Sequence, residues 1–351
     1  MPPFVSVRER QRGSPISPRR RRASIKEGAD EVRSMERACK SLDEVVADII
    51  RVVDDDKAAS RSANDDAEYF FRGEKCNYLH RGSPVLDTNF DSFLDRFPQF
   101  WKHERELYQE AMRLNVASFT EDRTMVERLV RMQHYGLPTR FADLSVNALQ
   151  AALFAAGGCD PTAERTAADD GFIRVIKIAR HKMKSFTSDR IIAIAHLPLV
   201  DAENINPEKP KQDVGYLTFE IRNERPGFYP KEADIDLHGD LCHDLQQVWA
   251  FKPLMNNPRI RNQGGLFLAF GCRDGKRPLN PTFSHADYDN KVAPSYGIEQ
   301  IDFVRIAATA KSTILEQLRM FGMTEEGVYP DLQNVCQTLD KQFKRRYGNG
   351  R

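Results

Sequence analysis

The stretch that decides the fold reads RMQHYGLPTRFADLS over residues 131–145 and continues as VNALQAALFAA over residues 146–156. Apolar residues leading into it recur at a helical spacing. Gly136 and Pro138 then end that pattern, because glycine and proline are poor helix formers. The sequence therefore predicts a helix over 122–134 that stops at this bend.

A second, more apolar helix is predicted directly after the bend, over 145–156, with Asp143 or Ser145 as its N-cap. The bend itself carries a dense polar set, namely Gln133, His134, Tyr135, Thr139, Arg140 and Asp143. Buried polar groups are hydrogen-bonded in most proteins, so we expect one connected network. The network is either structural or the lining of a ligand cleft, and both interpretations stay open at this point. We predict a charge-assisted pair between Arg140 and Asp143.

The octapeptide QHYGLPTR, residues 133–140, followed by Asp143, resembles the central signature of the FRG domain. That domain takes its name from a Phe-Arg-Gly tripeptide, which stands here at residues 71–73. Two later blocks also resemble these proteins, namely residues 258–267 and residues 321–332. The resemblance covers roughly residues 67 to 335 and implies kinship more firmly than any activity.

Arg72 follows the aromatic run 69–71, which we interpret as a short strand that delivers the arginine at its end. A buried guanidinium needs a carboxylate, a cluster of carbonyls or a ligand phosphate as its partner. We expect a bound anion, most simply the phosphate of a nucleotide such as NAD. The structural alternative consists of the ion pairs Arg72–Asp143 and Arg140–Glu104.

An aromatic-Arg-Gly strand also resembles the opening motif of arginine-type ADP-ribosyltransferases, in which it grips the phosphate of NAD. This resemblance implies NAD as the cofactor, with Arg72 and Gln263 as catalytic residues. Gln263 would stand where those enzymes have a glutamate; it cannot act as a charged base but can orient a ribose hydroxyl. Their Ser-Thr-Ser motif is missing here. The candidate ligand-binding residues are Gly73, Gln133, His134, Tyr135, Thr139, Arg140, Asp143, Arg259 and Arg261.

Helical spacing dominates the first half of the chain and strand-like alternation the second. We therefore predict an α+β fold with a helix-rich N-terminal half packed on a mainly antiparallel sheet. The second resemblance implies that this fold is ADP-ribosyltransferase-like. Further helices are predicted over 98–116, 216–224, 312–320 and 331–344, and strands over 172–178, 249–253, 266–270 and 298–308. Residues 190–195 fit either structure.

The chain divides into four predicted segments. They are a disordered basic tail over 1–35, an N-terminal helix with a polar linker over 36–66, an FRG-type domain with its continuation over 67–335, and a C-terminal helix and tail over 336–351. The helix of the second segment should open at a capping box over 41–44 and end near residue 52, with a loop over 54–66.

Residues 1–26 hold eight basic residues against one acidic residue, so they carry a charge of +7 and the remainder carries −6. The segment has little apolar material, and it cannot bury enough surface to fold. It is either a solvated arm with no dedicated partner or an attachment to nucleic acid or another polyanion. It could also dock on the acidic body of the chain.

Composition narrows the function further. A hydrophobic share of 40% and a charged share of 29% are typical of a soluble globular protein, and no signal peptide or membrane-spanning run is recognisable. The six cysteines are scattered, which indicates reduced thiols and a cytoplasmic setting. No metal site, glycine-rich phosphate loop or Gly-x-Ser-x-Gly elbow is convincing.

The first functional hypothesis is a nucleotide-binding, NAD-using, ADP-ribosyltransferase-like effector in the cytosol. The alternative is a non-catalytic module that binds a nucleotide, a nucleic acid or a partner and contains a structural Arg/Asp network. The sequence does not decide whether the chain is an enzyme.

Overall fold

A computed structural model describes residues 37–59, 66–76, 100–137, 139–157, 169–200, 210–226, 237–256, 261–262, 265–273, 277–279, 291 and 293–328. The region from Ala38 onward clusters as one unit, and the description concerns that unit. The predicted basic tail, the helix over 331–344, Arg259 and Gln263 lie outside the described residues.

The described α-helices are α1 (Leu42–Ala59), α2 (Glu104–Leu114), α3 (Met125–His134), α4 (Ala148–Ala156), α5 (Asp189–His196), α6 (Pro210–Glu224), α7 (Leu237–Leu245), α8 (Lys311–Met320) and α9 (Glu325–Val328). The strands are β1 (Ala67–Glu74), β2 (Phe141–Ser145), β3 (Gly171–Ala179), β4 (Met183–Ser185), β5 (Val248–Lys252), β6 (Gly265–Phe270), β7 (Cys272–Arg273), β8 (Arg277–Pro278) and β9 (Ile298–Ile306). Short 3-10 turns cover Phe100–His103, Val116–Phe119, Arg180–Lys182, Leu197–Leu199 and Ala308–Ala310.

Seven strands form one mixed sheet in the order β4-β5-β6-β2-β1-β3-β9. Every neighbouring pair is antiparallel except β4 and β5, which run parallel. The predicted α+β class and the mainly antiparallel sheet are confirmed. β7 and β8 form a separate small ribbon.

Three apolar clusters hold the described unit together. One packs α3, α5, α6 and α7 against β2, β5 and β6, and another packs α1, α4 and α8 against β1, β3 and β9. The third lies among the strands themselves and includes Phe70, Leu144 and Leu268. Successive residues of a strand point to opposite faces, so Phe70 and its neighbour Phe71 enter different clusters.

The prediction of a helix from residue 145 was wrong. Residues Phe141–Ser145 form β2, an interior strand between β1 and β6. α4 begins only at Ala148, and its N-cap is Asn147, whose side-chain oxygen accepts the Leu149 N–H at 2.9 Å. Pairing with β6, more than a hundred residues away along the chain, decides this segment, and such pairing is not visible in local periodicity.

Other predicted elements differ mainly in their ends. α1 continues to Ala59, so the first residues of the predicted loop over 54–66 are helical. β1 continues to Glu74, which places Arg72 inside the strand and not at its end. The ambiguous segment 190–195 is part of α5. The predicted strands over 172–178, 249–253, 266–270 and 298–308 are confirmed as β3, β5, β6 and β9.

Candidate functional site

Arg140 lies entirely inside the protein. Its Nε and Nη2 donate to the two carboxylate oxygens of Glu104 at 2.7 and 2.6 Å, with the guanidinium 0% exposed and the carboxylate 4% exposed. The predicted Arg140–Asp143 pair is therefore wrong, and the alternative pair Arg140–Glu104 is confirmed. The reason is the strand, because residues three apart along a strand point to opposite faces.

The neighbouring polar residues of the octapeptide brace the turn before β2. The Thr139 hydroxyl donates to Gln133 Oε1 at 2.8 Å and accepts the Phe141 N–H at 3.1 Å. The His134 ring packs edge-on against Phe267, with the ring centroids 5.3 Å apart. These side chains are buried, and each makes contacts that fix the local fold.

Tyr135 and Gly136 occupy the tip of the same turn. The Tyr135 side chain is more than half exposed, and Gly136 has a φ of 87°, in the left-handed region that favours glycine. The octapeptide thus presents only its tip to solvent and commits Gln133, Thr139 and Arg140 to the interior.

Arg72 meets two carboxylates. Its Nη1 donates to the Asp143 carbonyl oxygen at 2.8 Å and to Asp143 Oδ1 at 3.3 Å, and its Nε donates to Glu74 Oε1 at 3.3 Å. The alternative pair Arg72–Asp143 is confirmed, and the expectation that a bound anion also contacts Arg72 stays a prediction. Protein carboxylates offset the burial of this guanidinium.

Gly73 allows a close approach of a helix. A Cβ at this position would lie 2.0 Å from the Ala151 carbonyl oxygen and 2.8 Å from Phe154 Cβ, so any side chain would push α4 away from β1. The glycine of the tripeptide serves packing between strand and helix.

The Arg72 pair belongs to a longer chain of charges that sequence reasoning missed. Glu74 Oε2 lies 3.2 Å from Arg174 Nε, and Arg174 Nη1 donates to Gln300 Oε1 at 2.6 Å. Arg72 and Arg174 stand directly opposite each other on β1 and β3, and Glu74 contacts both. With Asp143, the chain alternates two carboxylates and two guanidinium groups across β2, β1, β3 and β9, so its formal charge is zero. Arg174 is one of two charged residues, with Lys177, in a strand that is otherwise apolar, and its presence there was the available signal.

Asp143 is the accessible end of this chain. Its side chain is 41% exposed, whereas those of Arg72 and Glu74 are 8% and 4% exposed. Burial by itself raises the pKa of Asp143, but the charges of Arg72 and of His134 hold that pKa below its ordinary value. The side chain is therefore an ionised, oriented hydrogen-bond acceptor at neutral pH.

Several separate sequence blocks meet beside this carboxylate. Ser145 stands opposite both Phe71 and Gly265, so β1 and β6 lie at either side of the end of β2. The Ser145 hydroxyl donates to Gln150 Oε1 at 2.8 Å, and Gln150 Nε2 donates to the Asn262 carbonyl at 3.4 Å. We call the group Arg72, Asp143, Ser145, Gln150 and Asn262 the signature junction.

The junction extends to the last described helix and to one exposed cation. Asn262 Nδ2 donates to the Gly327 carbonyl at 2.7 Å, which ties the third block to α9. Arg261 directly precedes Asn262 and is exposed. Arg72 thus contacts Asp143, and Asn262 is linked to Ser145, two residues after Asp143, through Gln150. Arg140, Thr139 and Gln133 are buried and make other contacts.

The described residues hold few groups that could form another kind of site. No group of three or more His, Cys, Asp or Glu side chains in this part of the chain could hold a metal ion. Cys39, Cys76, Cys242 and Cys272 are buried. None of the helices seen here has the length and apolar character needed to cross a bilayer.

A protein-family model matches the part of the chain that contains β1, the octapeptide and α4. The model of the FRG domain matches residues 67–164. This chain carries an FRG domain. The match begins at β1 and includes the octapeptide and α4, and four of the five junction residues, all but Asn262, lie within it.

Neither a curated protein nor a solved structure matches the chain significantly. The expected ADP-ribosyltransferase-like version of the fold therefore gains no support, and the α+β description stands without it.

Proposed function

We propose that this FRG domain is a non-catalytic nucleotide-binding module whose ligand lies at the signature junction. The observation that carries the proposal is the Asp143 carboxylate, the charged group of the Asp143–Arg72–Glu74–Arg174 chain that reaches solvent. Arg72 fixes this carboxylate from behind by contacting both its side chain and its carbonyl oxygen. A binding group that is already oriented loses little freedom when a ligand arrives.

The charge at the junction selects which part of a nucleotide can touch Asp143. A carboxylate accepts hydrogen bonds from the hydroxyls of a ribose or the amino group of a base, and it repels phosphate. Arg72 is already neutralised by Glu74 and Asp143, so it is not available as a phosphate clamp. This charge distribution supports a nucleotide whose ribose contacts Asp143 and whose phosphate contacts the exposed Arg261.

An NAD-using transferase is the enzymatic version of this proposal. One observation favours it. In the sequence, Gln263 lies between Asn262, which belongs to the junction, and Gly265, which pairs with Ser145 of the junction. It is weakened by the carboxylate partners of Arg72. In the enzymatic version Gln263 would orient a ribose hydroxyl, and NAD would be consumed. The scattered cysteines of the sequence favour a cytosolic setting for either version.

Thermal unfolding of the full chain with a panel of ligands tests the module. Adenosine, AMP and NAD should each raise the melting temperature, because a ligand that binds only the folded state stabilises it. 2′,3′-Dideoxyadenosine, which lacks the ribose hydroxyls, should give no shift. Arg261→Gln should reduce the shift by AMP and leave the shift by adenosine intact, because only AMP carries a phosphate.

The same samples distinguish an enzyme that consumes NAD from a module that only binds it. Catalytic release of nicotinamide from NAD, followed by chromatography, would establish turnover and replace the non-catalytic proposal. If no member of the panel shifts the wild-type melting temperature, the nucleotide proposal fails, and the charge chain is left with a structural role only.

The basic segment over 1–26 carries a separate part of the proposal, in which it attaches the module to nucleic acid or another polyanion. Each phosphate neutralised by arginine or lysine releases counterions, so such binding should weaken steeply with salt. Removal of residues 1–27 should abolish binding of a nucleic-acid probe and leave the melting temperature almost unchanged. Binding that survives the deletion would contradict this part.

A further inference from the structure

A cavity of about 490 Å³ opens at the carboxyl ends of the parallel strands β4 and β5, far from the signature junction in the sheet order. Its volume lies within the range of roughly 300–1,000 Å³ typical of small-molecule sites. The lining is mainly apolar with two ammonium groups, and consists of Met183, Lys184, Ser185, Phe186, Lys252, Pro253, Leu254 and Met255.

The indole of Trp249 beside this cavity is surrounded by cations. The Lys182 and Lys184 ammonium nitrogens lie 4.4 and 5.2 Å from the ring centroid, and the Arg190 guanidinium carbon lies 5.0 Å from it. Among the described residues, one carboxylate, that of Asp244, approaches the group, and it is bound to Arg190 at 3.0 Å. The cluster therefore has an excess of positive charge.

The excess of positive charge makes Lys184 a group that a ligand anion could neutralise. Lys182 donates to Gln247 Oε1 at 2.9 Å and to the Val248 carbonyl at 3.3 Å, whereas Lys184 makes no ion pair with a carboxylate in the described part of the chain. Burial and the nearby Arg190 lower the pKa of Lys184. An anion in the cavity would neutralise this ammonium group and relieve the crowding of like charges.

We propose that this cavity binds a monocarboxylate with an apolar tail. The carboxylate contacts Lys184, and the tail covers Met183, Phe186, Leu254 and Met255. The large exposed fractions of Leu254 (42%) and Met255 (44%) supply apolar surface for that tail. Lys252 lies at the rim, where its ammonium is 3.9 Å from the Glu68 carboxylate, so it is a weaker partner than Lys184.

Calorimetric titration of octanoate into the full chain tests this site. Octanoate should bind, and 1-octanol, which has the same chain without the charge, should bind at least tenfold more weakly. Lys184→Met should weaken octanoate at least tenfold while the melting temperature of the ligand-free protein stays the same or rises, because the substitution removes a crowded cation. Lys184→Arg should retain binding. Lys40→Met changes the charge equally at an exposed lysine and should leave octanoate binding unchanged.

A second variant protects the test against misfolding of Lys184→Met. Leu254→Asp places a carboxylate on an exposed rim position and should also weaken octanoate at least tenfold. Equal binding of octanoate and 1-octanol would overturn the proposal, as would octanoate binding that is unaffected in both variants. Absence of octanoate binding to the wild-type protein would overturn it as well.

Discussion

The two arginines of the FRG signature meet carboxylates in opposite ways. Arg140 and Glu104 form a sealed pair with two short hydrogen bonds and almost no exposed surface. Arg72 and Asp143 form a longer contact of 3.3 Å between side chains, and the carboxylate is 41% exposed. The first arrangement can only hold the fold, whereas the second holds a carboxylate in place and leaves part of it for another molecule.

The difference shows why a buried arginine is weak evidence for a ligand site. A guanidinium keeps its charge at any pH that a protein survives, so it must have an anionic or carbonyl partner wherever it is buried. That partner is usually part of the protein itself. The more informative observation is which member of an ion pair remains accessible, and here it is Asp143.

Breaking the sealed pair should have the largest effect. Arg140→Ala leaves the Glu104 carboxylate buried without its partner, which costs about 3–5 kcal/mol of unfolding free energy. Urea denaturation measures this loss. Arg113→Ala removes a similarly close pair with Glu110 from the exposed surface of α2 and should leave stability essentially unchanged. A loss below about 1 kcal/mol for Arg140→Ala would show that water replaces the arginine, contrary to the sealed geometry.

Breaking the open pair should cost less. Arg72→Ala removes one partner of Glu74 and one of Asp143, but Arg174 still contacts Glu74 and water reaches Asp143. We expect a loss of about 1–3 kcal/mol, again from urea denaturation. A loss as large as that of Arg140→Ala would remove the distinction between the two pairs.

A third buried cation tests whether the need for a partner is specific to arginine. Lys182 is 1% exposed and has amide and carbonyl acceptors in place of a close carboxylate. Burial, together with Lys184 and Arg190, lowers its pKa from 10.5 to about 7, so this cation can lose its proton where an arginine cannot.

The direction in which stability changes with pH follows from the pKa of about 7 in the folded protein and 10.5 in the unfolded chain. Between about pH 7 and 10.5 the folded protein has released the proton while the unfolded chain keeps it, so stability rises with pH by up to about 1.4 kcal/mol per unit. Below pH 7 both states are protonated and this contribution is flat. Urea midpoints of the wild type relative to Lys182→Met should show the rise, and a difference that does not change with pH would contradict it.

The smallest stability effect belongs to Asp143→Asn, which keeps the shape and removes the charge. The folded pKa of Asp143 is lower than its ordinary value of 3.8, so its contribution is present above that pH and is lost as the pH falls through the folded pKa. Because the side chain is partly exposed, we expect a difference of at most about 1 kcal/mol at neutral pH. The difference between wild type and variant should shrink in acid, and a difference that grows there would contradict the pairing with Arg72.

The sequence predicted features that depend on neighbouring residues. Alternation of β-branched and other residues identified β3, and Gly136 marked the end of α3. The pairs Arg72–Asp143 and Arg140–Glu104 were among the alternatives that the sequence offered.

Features that depend on distant pairing could not be predicted in this way. β2 has five residues between a turn and a helix, and only its position between β1 and β6 makes it a strand. The partner of Arg140, Glu104 on α2, lies 36 residues upstream and was named only as one alternative, whereas Arg174 on β3, which completes the Arg72 chain, was not predicted at all. A single sequence carries no signal for such cross-strand and helix-to-strand contacts beyond the presence of charges in apolar segments.

The most direct test of the difference between the two pairs is calorimetric titration of adenosine into the wild type, Asp143→Asn and Asp54→Asn. Asp54 is an exposed aspartate of α1 and provides the matched control. If Asp143 is the accessible binding group, Asp143→Asn should weaken adenosine at least tenfold with little change in melting temperature, and Asp54→Asn should bind like the wild type. Adenosine affinity that is the same in all three proteins would contradict the assignment of the open pair to ligand binding.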